Sequence, residues 1–110
     1  MNLREINRLV ATKVLRLEEG ECPITDRPVW LLNGDYFADQ EDFRPSEDIF
    51  YAWKAVEKFE IVEIKRIMDG YSCEITLFDP FRIRRGEAET APLAICLAAL
   101  KAVGIEVETE

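Results

Sequence analysis

The sequence predicts an α+β fold, an antiparallel sheet of three or more strands packed with three helices in an α/β sandwich. Three observations carry that expectation. Residues 90–104 (TAPLAICLAALKAVG) read as a helix with Lys101 as its only charge, and a helix apolar nearly all round must be covered on more than one side. Residues 61–68 and 71–78 are two β-rich runs, the second alternating from Tyr71 to Leu77, that flank Asp69-Gly70, a strong signal for a two-residue hairpin turn. Near the start, apolar residues recur at steps of three and four, the spacing of an amphipathic helix. At 110 residues the chain is expected to form one domain, 1–110.

Taken in order, Asn2 followed by Glu5 resembles a capping box. Leu3, Ile6, Val10, Val14 and Leu17 form the stripe of the first helix, which Gly20 is expected to stop. From Cys22 to Phe43, Val29–Leu32, Asn33-Gly34 and Tyr36-Phe37 suggest a short strand, a turn and its return; the rest reads as acidic loop. Ser46 is the expected N-cap of the second helix, with Glu47 and Asp48 complementing its positive end. Ile49, Ala52, Trp53, Val56 and Phe59 make its expected buried face, Trp53 serving as a core anchor. Phe50 and Tyr51 fall toward the flank of Lys54 and Lys58, either covered by the acidic segment or part of a contact surface.

With Asp69-Gly70 as the turn, Met68 pairs with Tyr71, Ile64 with Ile75 and Val62 with Leu77. Lys65 then faces Glu74, while Arg66 lands on the apolar face opposite Cys73. After Asp79-Pro80, a three-residue loop is favoured before the strand Phe81–Arg85, because it turns Ile83 to the core instead of Arg82 and Arg84. That strand is expected at a sheet edge and is broken by Gly86. Thr90 caps the last helix, Pro92 sits in its first turn and Gly104 ends it. Ile105 and Val107 suggest a short strand in the tail.

Charge and composition exclude several classes. Net charge is −8, and residues 17–48 hold ten acids and two bases, leaving twelve of each elsewhere. Direct binding of duplex nucleic acid is therefore not expected. The charged residues 1–16 do not resemble a signal peptide, and no run reaches the ~20 apolar residues of a membrane span; a cytoplasmic protein without a membrane partner is expected. Histidine is absent, which removes the commonest general base and zinc ligand. Cys22, Cys73 and Cys96 lack metal-ligand spacing. Cys73 and Cys96 read as buried; Cys22 reads as exposed, with Glu19 and Glu21 opposing its thiolate. The run Asp35, Asp39, Glu41, Asp42 fits no EF-hand. No cofactor, metal or catalytic residue is assigned, and the chain is expected not to be an enzyme.

Two segments carry a family likeness. FRPSEDIFYAWKAVEKF (residues 43–59) and ETAPLAICLAALKAVG (residues 89–104), preceded by a helix like LREINRLVATKVL (residues 3–15), resemble the signature stretches of the phage ABA-sandwich domain family. The likeness covers the Pro-Ser start, the Ala52-Trp53 pair and the Ala-Ile-Cys-Leu-Ala run. It implies an α/β sandwich of phage or prophage origin with no assigned activity or catalytic residues. The chain departs from the pattern at Phe50 and Tyr51, where small residues are usual.

The leading expectation is a non-catalytic phage accessory protein acting through protein–protein contact with a host or phage protein or with itself. The Ala-rich flank of the last helix (Ala94, Ala98, Ala102) offers close approach either to a helix of the same chain or to a second subunit, so a homodimer is expected. Phe50 and Tyr51 complete the candidate interaction surface. An alternative is an oligomer that sequesters an anionic nucleotide-type ligand, with Lys65, Arg66, Arg82, Arg84 and Arg85 converging as the binding cluster. A further alternative is an acidic nucleic-acid mimic built on residues 17–48.

Overall fold

The computed structural model describes residues 2–107. Helix α1 (Leu3–Leu9) is capped as expected, the Asn2 side chain accepting from the Glu5 N–H at 2.8 Å. It widens into a π-helical segment (Val10–Val14), where the Leu15 N–H donates to the Val10 carbonyl. The helix ends at Arg16, whose φ of 55° is left-handed. Ile6, Val10, Val14 and Leu17 are buried along the expected stripe. Gly20 is not the stop; it lies inside β1 (Glu18–Glu21).

β1 pairs antiparallel with β2 (Pro28–Leu32), and β2 with β3 (Asp35–Asp39). Asn33 and Gly34 join β2 to β3 with φ of 53° and 86°, the double positive φ of a type I′ turn. The strand and return read from Val29 to Phe37 are therefore present. Of the stretch read as acidic loop, Pro28, Asp35, Ala38 and Asp39 join the sheet, while residues 22–27 and 40–43 are not strand. Arg8 fastens this sheet to α1, lying 5.8 Å from the Trp30 ring centroid and pairing with Glu19 at 2.8 Å.

Helix α2 (Ile49–Val56) starts two residues later than Ser46 would set it. Asp48 is the N-cap, its carboxylate accepting from the Phe50 N–H at 2.9 Å. Ser46 instead donates its backbone N–H to Asn7 Oδ1 at 2.9 Å, and its buried hydroxyl has no partner among the described residues. The buried face is also rotated from the expected one. Ala52, Ala55 and Val56 are buried and Tyr51 packs on the core, whereas Trp53 and Ile49 are exposed. The cause is aromatic: Tyr51 meets Phe43 edge-on at 5.0 Å and Phe37 at 6.3 Å. Trp30, not Trp53, is the core tryptophan.

The second sheet has the order β4 (Ile61–Ile67), β5 (Gly70–Leu77), β6 (Arg82–Ala88). Its hairpin turns at Met68-Asp69, so Ile67 pairs with Gly70, Ile64 with Cys73 and Val62 with Ile75. That register is two residues from the expected one. A two-residue shift keeps every side chain on its expected face, but Lys65 now opposes Ser72, and Arg66 opposes Tyr71.

The β5–β6 connection corrects a second expectation. Leu77 pairs with Arg82, Ile75 with Arg84 and Thr76 with Ile83, so the loop is Phe78–Phe81. Arg82 and Arg84 thus take the helix-facing side and Ile83 the outer side. The arginines stay half-buried because α3 (Ala91–Ala102) leaves that end of the sheet partly open. Lys101, in its last turn, donates to the Arg85 carbonyl at 2.8 Å.

Gly86 does not break β6. It is buried in mid-strand opposite Cys73, where a Cβ would lie 2.5 Å from Ala98 N and 2.6 Å from Ala94 O. Its bare Cα lets α3 lie directly on the sheet. α3 packs against β5 and β6 on one side and against α2 and the π-helical segment on the other. Ala94 through Leu100 are all buried, so the fold is a helical layer held between a sheet and further helices. Gly104, with φ of 87°, follows the helix as expected. Ile105 and Val107 form no strand, and the rest of the expected tail strand lies outside the described residues.

Candidate interaction surface

The five cations expected to converge do not. Strand alternation places Lys65 and Arg85 on the outer face of the second sheet and Arg66, Arg82 and Arg84 on the other. On the outer face the charges are already answered: Lys65 lies 3.8 Å from Glu63, while Arg85 lies 2.7 Å from Glu87 and donates to Ser72 Oγ at 2.9 Å. Arg66 sits at one end of its face, opposite Tyr71, which pairs in turn with Ala88; Arg82 and Arg84 sit toward the other end, opposite Leu77 and Ile75. No single anion site gathers them. A groove of 720 Å³ beside the start of α3 is lined by Leu3, Ser46, Leu93 and the carboxylates of Glu47, Glu87 and Glu89, a composition that repels anions.

The acidic stretch is partly neutralised as well. Glu19 pairs with Arg8, Asp39 lies 3.9 Å from Arg27, and Glu47 lies 4.0 Å from Arg44. Among the described residues, no group of three or more Cys, Asp or Glu side chains is placed to hold a metal ion. No helix there is long and apolar enough to cross a membrane.

The cysteines divide as expected in burial but not in chemistry. Burial pushes the Cys73 thiol up to about 11 and raises Cys96 further. Cys22 is lowered, mainly by a hydrogen bond from the Thr25 side chain and then by the backbone at Ile24 and Thr25, which outweigh the Asp39 charge. The expectation that nearby acids would govern Cys22 is corrected by this local turn.

Of the residues expected at an interface, Ala94 and Ala98 are fully buried and Ala102 is nearly so. The backbone of Ala94 and Ala98 runs directly over strand β6 at Gly86 of the same chain. Tyr51 is covered by Phe37 and Phe43 of the acidic segment. Phe50 remains, 60% exposed, with the Lys54 ammonium 5.5 Å from its ring centroid. Beside it on α2 stand Ile49, 51% exposed, and Trp53, 48% exposed. Positions three and four apart are neighbours on a helix, so these three form one apolar patch. The Lys54–Glu57 pair at 3.5 Å and the Asp48 cap give it a polar rim. Sequence periodicity missed Ile49 and Trp53 because it assigned them to the core.

The architecture is thus an α+β sandwich whose distinctive surface is an apolar helix face rather than a cleft of reactive groups. The model of the phage ABA sandwich domain matches residues 8–100, and the chain belongs to that family. It is also similar to a solved structure of a phage protein from Bacillus cereus ATCC 14579, with 31% identity and a TM-score of 0.74 over 98% of this chain and 93% of that one. No curated protein matches it. Neither likeness brings an activity with it.

Proposed function

We propose that this phage protein works as a non-catalytic accessory in the host cytoplasm, by contact with another protein. The observation that supports the reading is the α2 patch of Ile49, Phe50 and Trp53, half or more open to water on a helix whose other face is buried. An exposed aromatic patch with a polar rim is the anatomy of a protein-binding site. The missing histidine and the dispersed cations give a reacting substrate little to hold it.

Trp53 supplies the test. Trp30 is buried, so long-wavelength tryptophan emission belongs to Trp53 and shifts to the blue when a partner covers it. A partner recovered from host cells, once purified, should produce that shift. It should bind Phe50→Ser/Trp53→Ser at least about thirtyfold more weakly, the scale of a lost aromatic hot spot, with the far-UV circular dichroism unchanged. A partner that binds the double variant as tightly as wild type, or a catalytic turnover abolished by changing one acidic residue, would overturn the reading.

A further inference from the structure

The two edges of the second sheet are not equivalent. β6 has the Arg85 carbonyl occupied by Lys101. β4 has one strand neighbour, β5, with which it pairs over seven consecutive residues without a bulge. Among the described residues, no backbone hydrogen bond from outside the sheet reaches β4. Ile64, on the side that α3 covers at β5 and β6, is still 37% exposed, and Ile61 on the other side is 41% exposed. A long, unbulged strand edge of this kind is a template for another strand.

The sequence of β4 says which strand fits. Ile61-Val62-Glu63-Ile64-Lys65-Arg66-Ile67 is complementary to itself when reversed about Ile64. An antiparallel copy then sets Glu63 against Lys65 twice, Ile61 against Ile67 twice and Ile64 against Ile64, with Val62 against Arg66 as its one mismatched pair. Facing residues share a side of the sheet in each pair, as an antiparallel ladder requires. The neighbouring registers lose both opposite-charge pairs. A two-fold at Arg66 stacks arginine on arginine and sets Glu63 against Asp69. One at Val62 sets Glu60 against Ile64 and Glu63 against Ile61. A one-residue slip would turn each sheet's outer face to the other's inner face.

We propose that the β4 edge is a homodimer interface, with two copies paired antiparallel and Ile64 on the two-fold axis, so that two three-stranded sheets become one of six strands. Opposite charges directly across a ladder favour the pairing, and like charges oppose it. The chain's overall acidity does not prevent the approach. The acid excess lies in residues 17–48, whereas β4 carries one acid and two bases. The interface uses none of Ile49, Phe50 and Trp53, so either contact can fail without the other.

Sedimentation or light scattering across a concentration series up to about 1 mM, the weak end of the affinity scale, is expected to give twice the 12.7 kDa chain mass. Glu63→Lys and Lys65→Glu each create two like-charge facing pairs and should weaken the dimer roughly tenfold or more. The combined exchange Glu63→Lys/Lys65→Glu restores complementarity and should restore the dimer. Both side chains are exposed, so folding should survive, as circular dichroism will check. A wild-type monomer at every concentration, a dimer indifferent to the single exchanges, or a double exchange no better than either single would overturn the proposal. So would a dimer lost in Phe50→Ser/Trp53→Ser, which would place self-association on α2.

Discussion

Replacing Gly86 with alanine tests the layer structure at its tightest point. The added Cβ would meet Ala98 N at 2.5 Å, Ala94 O at 2.6 Å and Leu97 Cβ at 2.9 Å. Favourable contact distances begin near about 3.5 Å, so α3 must lift by about 1 Å, a gap that already forfeits up to about half of each dispersion well it opens. Overpacking a core costs about 1–3 kcal/mol. Two of the three obstacles are helix backbone, which cannot rotate away, so the upper end applies. At this chain length about 3 kcal/mol corresponds to a fall in Tm of roughly 12–18 °C by calorimetry. Gly86 has no positive φ, so the whole effect is steric. Were Gly86 a strand breaker in open space, alanine would instead stabilise by ~0.4–1 kcal/mol. Gly104→Ala is the control: its φ is 87° with nothing within 4 Å of the new Cβ, and it should cost only about 1 kcal/mol from backbone strain. A Gly86→Ala protein melting at or above the wild-type temperature would refute the close approach.

The start of α2 gives a prediction of opposite signs at two nearby positions: Asp48→Ala should lose about 1 kcal/mol with its cap, while Ser46→Ala, which removes an unpartnered buried hydroxyl, should be neutral or stabilising in urea titration. Asn7→Ala should cost about 1–2 kcal/mol, because the Ser46 N–H loses its acceptor. Cys73 is held protonated to about 11 against an ordinary 9.0, so its contribution is complete below about pH 9 and is lost as pH rises toward 11; this should remove about 2 kcal/mol, and the alkaline fall in urea stability should be shallower in Cys73→Ala. Cys22, lowered by its turn, should be alkylated at neutral pH well before Cys73 and Cys96, as mass spectrometry of the labelled protein will show.

How much of this fold was legible depended on whether a residue's neighbour in sequence was also its neighbour in space. The α1 stripe, the Asn33-Gly34 turn and the all-round burial of α3 follow from local spacing and were readable. The β4–β5 hairpin was readable in its faces but not its register, because Met68-Asp69 rather than Asp69-Gly70 makes the turn and a shift of two leaves the alternation intact. Loop length decided the side of Arg82 and Arg84. Nothing in Phe78–Phe81 fixes a parity that rejecting charged residues from the core face would not override, and the rejection failed because α3 leaves that end half open. β1 was hidden for a different reason: Glu18, Glu19 and Glu21 have no apolar alternation, and the strand exists through its pairing with β2.

The candidate surfaces were hidden by too much regularity rather than too little. From Ile49 to Val56 nearly every residue of α2 is apolar, so two overlapping stripes satisfy helical spacing, and only the distant Phe37 and Phe43 choose between them by receiving Tyr51. That choice expels Trp53 and Ile49 to the surface beside Phe50, making the patch. β4 presents the same ambiguity in one dimension. Its complementarity under reversal, broken only where Val62 meets Arg66, is visible in seven letters, yet in a central strand it would be satisfied by two different neighbours and carry no message. It acquires meaning because β4 ends the sheet: β6 returns through Phe78–Phe81 to take the other side of β5, and no strand takes the free side of β4 among the described residues. In both places the local pattern supplies a surface able to bind, and the tertiary topology determines whether that surface is spent on the core or left for a partner.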